Sequence, residues 1–202
     1  MIYISHLLPD HEMNEIIEQT GVGIESIEFS IADNLDHLND SIGSYRERLK
    51  FMDCRGLTLH GPFMNIDPAA FDSEVRKITM MRFHQTYTAG MELGAKKIIY
   101  HTCMNPYVHY LQGWPERVAE FFGEFLEKHK ELEVVMENVF DPQIDPVLDV
   151  YKLLGEKYPN AGWAVLSTTA FCTVGTVGKF MSATHIGIQS IPSFSVAAAK
   201  YS

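Results

Sequence analysis

The chain has 202 residues, 46% hydrophobic and 21% charged, a mixture that suits one soluble globular domain and excludes a disordered chain, a collagen-like repeat and a small disulfide scaffold. With 16 basic residues against 26 acidic ones the formal net charge is −10, which disfavours a protein built to meet a phosphate backbone with Lys and Arg.

The amino terminus, MIYISHLLPDHE, has no basic segment followed by a long apolar run and a small-residue cleavage site, so a cytoplasmic location is expected. Cys54, Cys103 and Cys172 are widely spaced and contain no C-x-x-C pair, the pattern of reduced thiols. From Met1 to about Gly162, short β-branched or apolar runs alternate with longer amphipathic stretches, the mark of repeated βα units. Strands are predicted over Ile2–Ser5, Ile24–Ser30, Gly56–His60, Lys97–His101 and Glu133–Glu137. Helices are predicted over Asp10–Thr20, Asn34–Met52, Ser73–Leu93, Pro115–Lys130 and Pro146–Tyr158. The third helix sets Val75, Ile78, Phe83, Tyr87 and Met91 on an apolar stripe, offers Ser73 as a cap and ends at Gly94. Pro115 opens the fourth, since proline at the first helical position gives up no hydrogen bond. No hairpin signal separates the runs, so the sheet is expected to be parallel, as an open sheet or a barrel.

After Trp163 the chain changes character. Residues 164–202 contain no Asp, Glu or Arg and only two lysines, Lys179 and Lys200. Ala164–Gly178 is β-branched, Thr- and Gly-rich, and has neither helical period nor clean alternation. Phe180–Ala199 is long enough to span a bilayer, but Pro192, Gln189 and His185 argue against insertion, and no membrane association is expected. The domain reading is therefore a βα-repeat portion over residues 1–163 and an atypical segment over 164–202.

Three strands end on metal-ligand residue types: LTLH on His60, IIYH on His101 and VVME on Glu137. In parallel α/β folds the carboxyl edge of the strands is where side chains from separate strands converge, and two imidazoles with a carboxylate suit zinc or manganese. Gly61-Pro62 after His60 makes a turn that brings backbone close to such a site. Glu28 stands in an otherwise apolar strand and is a candidate acid, base or sugar-hydroxyl acceptor; alternation equally allows it a solvent-facing or salt-bridged role. His6 follows the first strand, with a hydrogen-bonded structural role as its alternative. Asn105, Tyr107, His109 and Trp114 follow the His101 strand and are candidates to line a substrate pocket, or simply loop packing. No G-x-G-x-x-G, Walker loop, G-x-S-x-G or H-E-x-x-H motif is present.

The segments LTLHGPFMNIDP, SEVRKITMMRFHQTYTAGMELGAKKIIYHT, NPYVHYLQGWPERVAEFF and EVVMENVF together resemble the xylose isomerase-like TIM barrels, which include sugar phosphate isomerases and epimerases and endonuclease IV. The resemblance spans roughly Met1 to Trp163. It implies a TIM (β/α)8-type barrel with divalent metal at its rim, His60 and His101 as histidine ligands and Glu137 as the carboxylate. It also implies a small-molecule sugar or sugar phosphate substrate, with metal on adjacent sugar oxygens and paired carboxylates, Glu137 among them, moving a proton. The chain departs from the family after Trp163. An Asp-x-Gly-His-like strand end is expected there, but AVLSTTAFCTVGTVGKF contains no Asp, Glu or His, and Thr184-His185-Ile186 matches no later ligand strand.

Five units of about 32 residues fill the first 160 or so, whereas eight would need about 256, close to the usual ~250 of such a barrel. The fold expected is thus a barrel of about five to six βα units with an atypical C-terminal segment. Three functions follow: a metal-dependent isomerase or epimerase, an abasic-site nuclease of the endonuclease IV kind, which the net charge and missing ligands disfavour, and a non-catalytic truncated or frame-disrupted barrel. Open strand edges predict homo-oligomerisation.

Overall fold

A computed structural model describes residues 1–139, 141, 144–167 and 170–176, with side chains placed up to Gly162 except Glu156. His185, Lys179, Lys200 and the Phe180–Ala199 stretch lie outside the described residues. Strands and helices alternate along the chain: β1 (Tyr3–Ser5), α1 (Asp10–Thr20), β2 (Gly23–Ser26), α2 (Ala32–Asp36), α3 (Leu38–Leu49), β3 (Leu57–His60), α4 (Ser73–Leu93), β4 (Lys97–His101), α5 (Trp114–Lys128), β5 (Glu133–Asn138), α6 (Asp145–Leu154), β6 (Ala161–Ser167) and β7 (Ala170–Thr176).

The strands are neighbours in sequence order, β1 to β7, and β1 to β6 are all parallel. Consecutive order of parallel strands is the topology of a barrel; a doubly wound sheet reverses its order at a switch point. The result is a partial TIM barrel of six parallel strands. β6 runs across the Trp163 boundary and pairs with β5, while β7 turns back antiparallel to β6 through Ser167↔Ala170 and Gly162↔Thr176. Among the described residues, β6 is the last parallel strand.

Strand alternation divides side chains between two faces. Ile24, Leu59, Ile98, Tyr100, Val134 and Met136 enter the core shared with the helices, whereas Ile99 and Val135 form a separate cluster on the opposite, inner face. Phe83 of α4 stacks on Tyr100 at 3.9 Å between centroids, and Phe121 and Phe125 of α5 meet Phe83 edge-on. Full burial of each such ring contributes roughly 1.5–3 kcal/mol before ordering costs. The inner face carries Glu25, Thr58, His60, Lys97, His101, Glu133 and Glu137, so the chemistry-bearing residues share the surface that would become the barrel lumen.

Several expectations are corrected. The stretch expected as one helix over Asn34–Met52 breaks at His37, with φ −113° and ψ 43°, where the imidazole Nδ1 donates to the Asp33 carbonyl and competes with helical bonding. β2 ends at Ser26, and Glu28–Ser30 form a 3-10 turn instead of extended strand. On α4, Phe83 and Tyr87 are buried, but Val75, Ile78 and Met91 are exposed, and Thr79, Thr86, Ala89 and Gly90 complete the buried face. The N-cap there is Asp72, whose carboxylate accepts from the amides of Glu74 and Val75. Gly94 closes α4 as expected, with φ 71°.

Candidate metal centre

β3, β4 and β5 deliver His60, His101 and Glu137 to one edge of the sheet because each is the last or next-to-last residue of its strand on the inner face. His101 and Glu137 are direct lateral partners, and His60 lies one strand over, level with Ile99. Their functional atoms converge. His101 Nε2 lies 3.0 Å from His60 Nε2 and 3.3 Å from Glu137 Oε2, and His60 Nε2 is 3.8 Å from the same oxygen.

The His60 Nδ1–H donates to the Gly61 carbonyl at 2.8 Å, which leaves Nε2 as the lone-pair nitrogen facing the other two groups. An imidazole whose far nitrogen is fixed by a backbone carbonyl is oriented as metal-ligating histidines are. The Gly61 turn is obligatory for this placement. A Cβ on Gly61 would lie 2.2 Å from Tyr100 Cδ1, so only glycine lets the chain pass over the Tyr100 ring immediately after the ligand.

The electrostatics suit a cation. Burial alone would raise the Glu137 carboxyl, but hydrogen bonds and charge from His101 and His60 overcome it and hold the pKa at about 2. Burial likewise opposes charge on His60, yet Glu137, Glu25 and the Gly61 carbonyl raise its pKa, whereas burial dominates at His101 and lowers it. The three ligand atoms all lie within 4.8 Å of one another and are the group among the described residues able to hold a metal ion. Two neutral imidazoles and a carboxylate are a sufficient protein set for a zinc-type centre that keeps one position open.

Glu25 is a neighbour that sequence reasoning missed. It accepts from Ser5 Oγ at 3.3 Å; burial raises its pKa, His60 opposes that shift, and the Glu137 charge adds to it. The signal is present in the alternation: with Ile24 and Ser26 buried toward the helices, Glu25 must face inward. Reading the strand through to Ser30 points to Glu28 instead.

The other candidates are distributed unevenly. Glu28 sits in the turn after β2 and pairs with Arg48 at 3.0 Å, the salt-bridged alternative. Arg48 also grips Asp10, which meets His6 Nε2 at 3.1 Å, and the Tyr45 hydroxyl meets His6 Nδ1 at 2.9 Å. His6 is thus 7% exposed within a network tying α1 to α3. Trp114 is fully buried at the start of α5, in the helix–sheet core, and Tyr107 is 97% exposed on the loop surface. Neither lines the pocket beside the ligand cluster. Asn105 and His109 do: with His101, Phe63, Asp67 and Met104 they line a space of about 360 Å3 between the β3–α4 and β4–α5 loops. Phe63 stacks on His101 at 4.7 Å and meets His60 edge-on at 5.4 Å, a wall shared by the pocket and the ligand cluster.

The consecutive parallel sheet is the fold of solved structures described as xylose isomerase-like TIM barrels, to which the chain is similar. No protein-family model matches the chain, and no curated protein matches it by sequence. Among solved structures it is similar to a Thermus thermophilus protein soaked with ZnCl2, at 21% identity over 81% of this chain and 64% of that one, TM-score 0.63. It is also similar to a D-tagatose 3-epimerase-like protein, at 19% identity over 82% and 64% of the two chains, TM-score 0.65. Endonuclease IV from Thermus thermophilus aligns at 11% identity over 81% and 61%, TM-score 0.53. At these identities the likeness establishes a shared fold, and the chain spans about 64% of the length of the first two structures. No helix of the described residues is long and apolar enough to cross a membrane.

Proposed function

We propose that the chain is a divalent-metal protein of the sugar isomerase and epimerase kind, with His60, His101 and Glu137 as ligands and a small polyhydroxy compound as substrate. The observation that carries the reading is the convergence of two imidazole nitrogens and one carboxylate oxygen on a single point, with the His60 Nδ1 hydrogen already committed to Gly61. A bound zinc or manganese would polarise oxygen atoms of the substrate. Glu137 keeps its negative charge down to about pH 2, so it remains a ligand and charge-bearing group across the physiological range. Glu25, held by Ser5 and kept more readily protonated by burial, is the second carboxyl of a pair able to hold or move a proton on the inner face. Phe63, stacked on His101, covers one side of the cluster.

The D-tagatose 3-epimerase-like neighbour favours a sugar, free or phosphorylated, and the zinc-soaked neighbour favours zinc. The antiparallel turn-back of β7, through Thr176, supports reading the segment that starts at residue 164 as atypical. Zinc and manganese titrations of the purified chain and of Glu137→Ala test the proposal. Stoichiometric binding that weakens more than about 100-fold in the variant is expected for loss of a direct ligand, since even outer-shell losses cost 10–100-fold. Absence of binding in the parent chain would overturn it. Hexose epimerisation and abasic-site cleavage, each assayed with metal, separate the epimerase reading from a nuclease.

A further inference from the structure

We propose that the pocket between the β3–α4 and β4–α5 loops binds an apolar group, aryl or branched alkyl, carried by the same ligand that meets His60, His101 and Glu137. The polar end of that ligand rests on the metal-centre reading; the pocket itself does not. Its volume, about 360 Å3, falls within the roughly 300–1,000 Å3 of small-molecule sites. It is continuous with the candidate centre through His101, which belongs to both.

The chemistry of the walls selects the occupant. Ile66, Val75, Met104 and Val108 supply apolar surface. Several of the polar side chains beside them are already engaged, while Asn65 and Asn105 lie at the exposed rim. The His109 Nε2–H donates to Asp67 Oδ2 at 2.8 Å while Nδ1 accepts from the Asn105 amide at 2.9 Å, so both ring nitrogens are used. Asp67 Oδ1 accepts from the Ala69 amide, Asn105 Oδ1 from the Tyr107 amide, and the Thr102 hydroxyl donates to Asp141. A polar group entering beside the engaged side chains would recover fewer of the bonds it makes with water, whereas an apolar group has none to lose. Val108 is 67% exposed and Phe63 40%, apolar surface at the mouth that such an occupant would cover.

The probe is benzyl alcohol, titrated into the full chain carrying 13C-methyl methionine. The Met104 methyl, buried in the pocket wall, is expected to shift, while the methyl of Met1, 72% exposed at the terminus, is not. Val108→Asp puts a charge at the mouth on a side chain too exposed to support the core, and should weaken the probe about tenfold or more. Val75→Asp, on the opposite wall, should act in the same direction. Zinc titration of the same samples is expected to be unchanged in both variants. No Met104 response, or equal binding by the parent and both variants, overturns the proposal. A Met104 response in a parent chain that binds no zinc upholds the pocket and overturns the metal reading instead.

Discussion

Among single residues, Gly61 links the sheet to the candidate centre. Its missing Cβ lets the backbone cross the Tyr100 ring one residue after His60, and its carbonyl fixes the His60 imidazole. Tyr100 has no room to retreat, being fully buried with its hydroxyl donating to the Phe83 carbonyl at 2.7 Å. Gly61→Ala is therefore expected to cost about 1–3 kcal/mol of stability, measured by urea unfolding, and to weaken zinc binding along with it. An unchanged unfolding midpoint would show that the Tyr100 ring yields more easily than its packing suggests. Glu28 and His6 illustrate the opposite case. Both are polar residues just after rim strands, and Arg48 with Asp10 absorbs them into a structural network instead.

At the level of elements, α4 is stopped and started by different kinds of residue. Gly94 takes the left-handed conformation that ends the helix, and Asp72, one residue before the expected cap, accepts two amide hydrogens at its start. Asp72→Ala should lower stability by about 1 kcal/mol, whereas Ser73→Ala should change it little, because Ser73 lies inside the helix; thermal or urea unfolding of the two variants decides between them. The exposed Val75, Ile78 and Met91 show why a stripe read from hydrophobicity alone misplaces part of the buried face. α4 presents Thr79 and Thr86 to its neighbours with their hydroxyls satisfied by backbone carbonyls, so small polar residues occupy positions that an apolar count passes over.

For the molecule as a whole, acid sensitivity is expected from the C-terminal end of α5. His129 is buried, stacks on Phe125 at 4.2 Å, donates its Nδ1–H to the Phe125 carbonyl and accepts at Nε2 from His84 at 2.7 Å. Burial lowers its pKa below the ordinary 6.5. The unfolded chain then takes up a proton that the folded chain resists, so this contribution to stability is intact above pH 6.5 and falls as pH drops through that value toward the folded pKa. Urea midpoints between about pH 7.5 and 5.5, a window that brackets the ordinary histidine range, should decline more steeply for the parent than for His129→Leu. Taking the difference between the two removes the contributions of His6 and His60, which are shifted in opposite directions. Equal slopes would mean that His129 gains its proton without cost.

Much of this architecture is legible in the sequence. The alternation of short apolar runs and amphipathic stretches is a local property, and it sets the order of five βα units and places His60, His101 and Glu137 at strand ends. The change in composition after Trp163 falls inside β6, which runs on to Ser167 before β7 reverses. Local pattern is thus enough to say which residues arrive at the sheet edge. Which of them face one another is a property of the assembled fold. That depends on register and strand face, and a misplaced strand end along β2 exchanges Glu28 for Glu25 because side chains alternate with a period of two only while the strand lasts. It also depends on partners far away in sequence, such as Arg48 for Glu28 and Asp67 for His109, whose pairing carries no local signature.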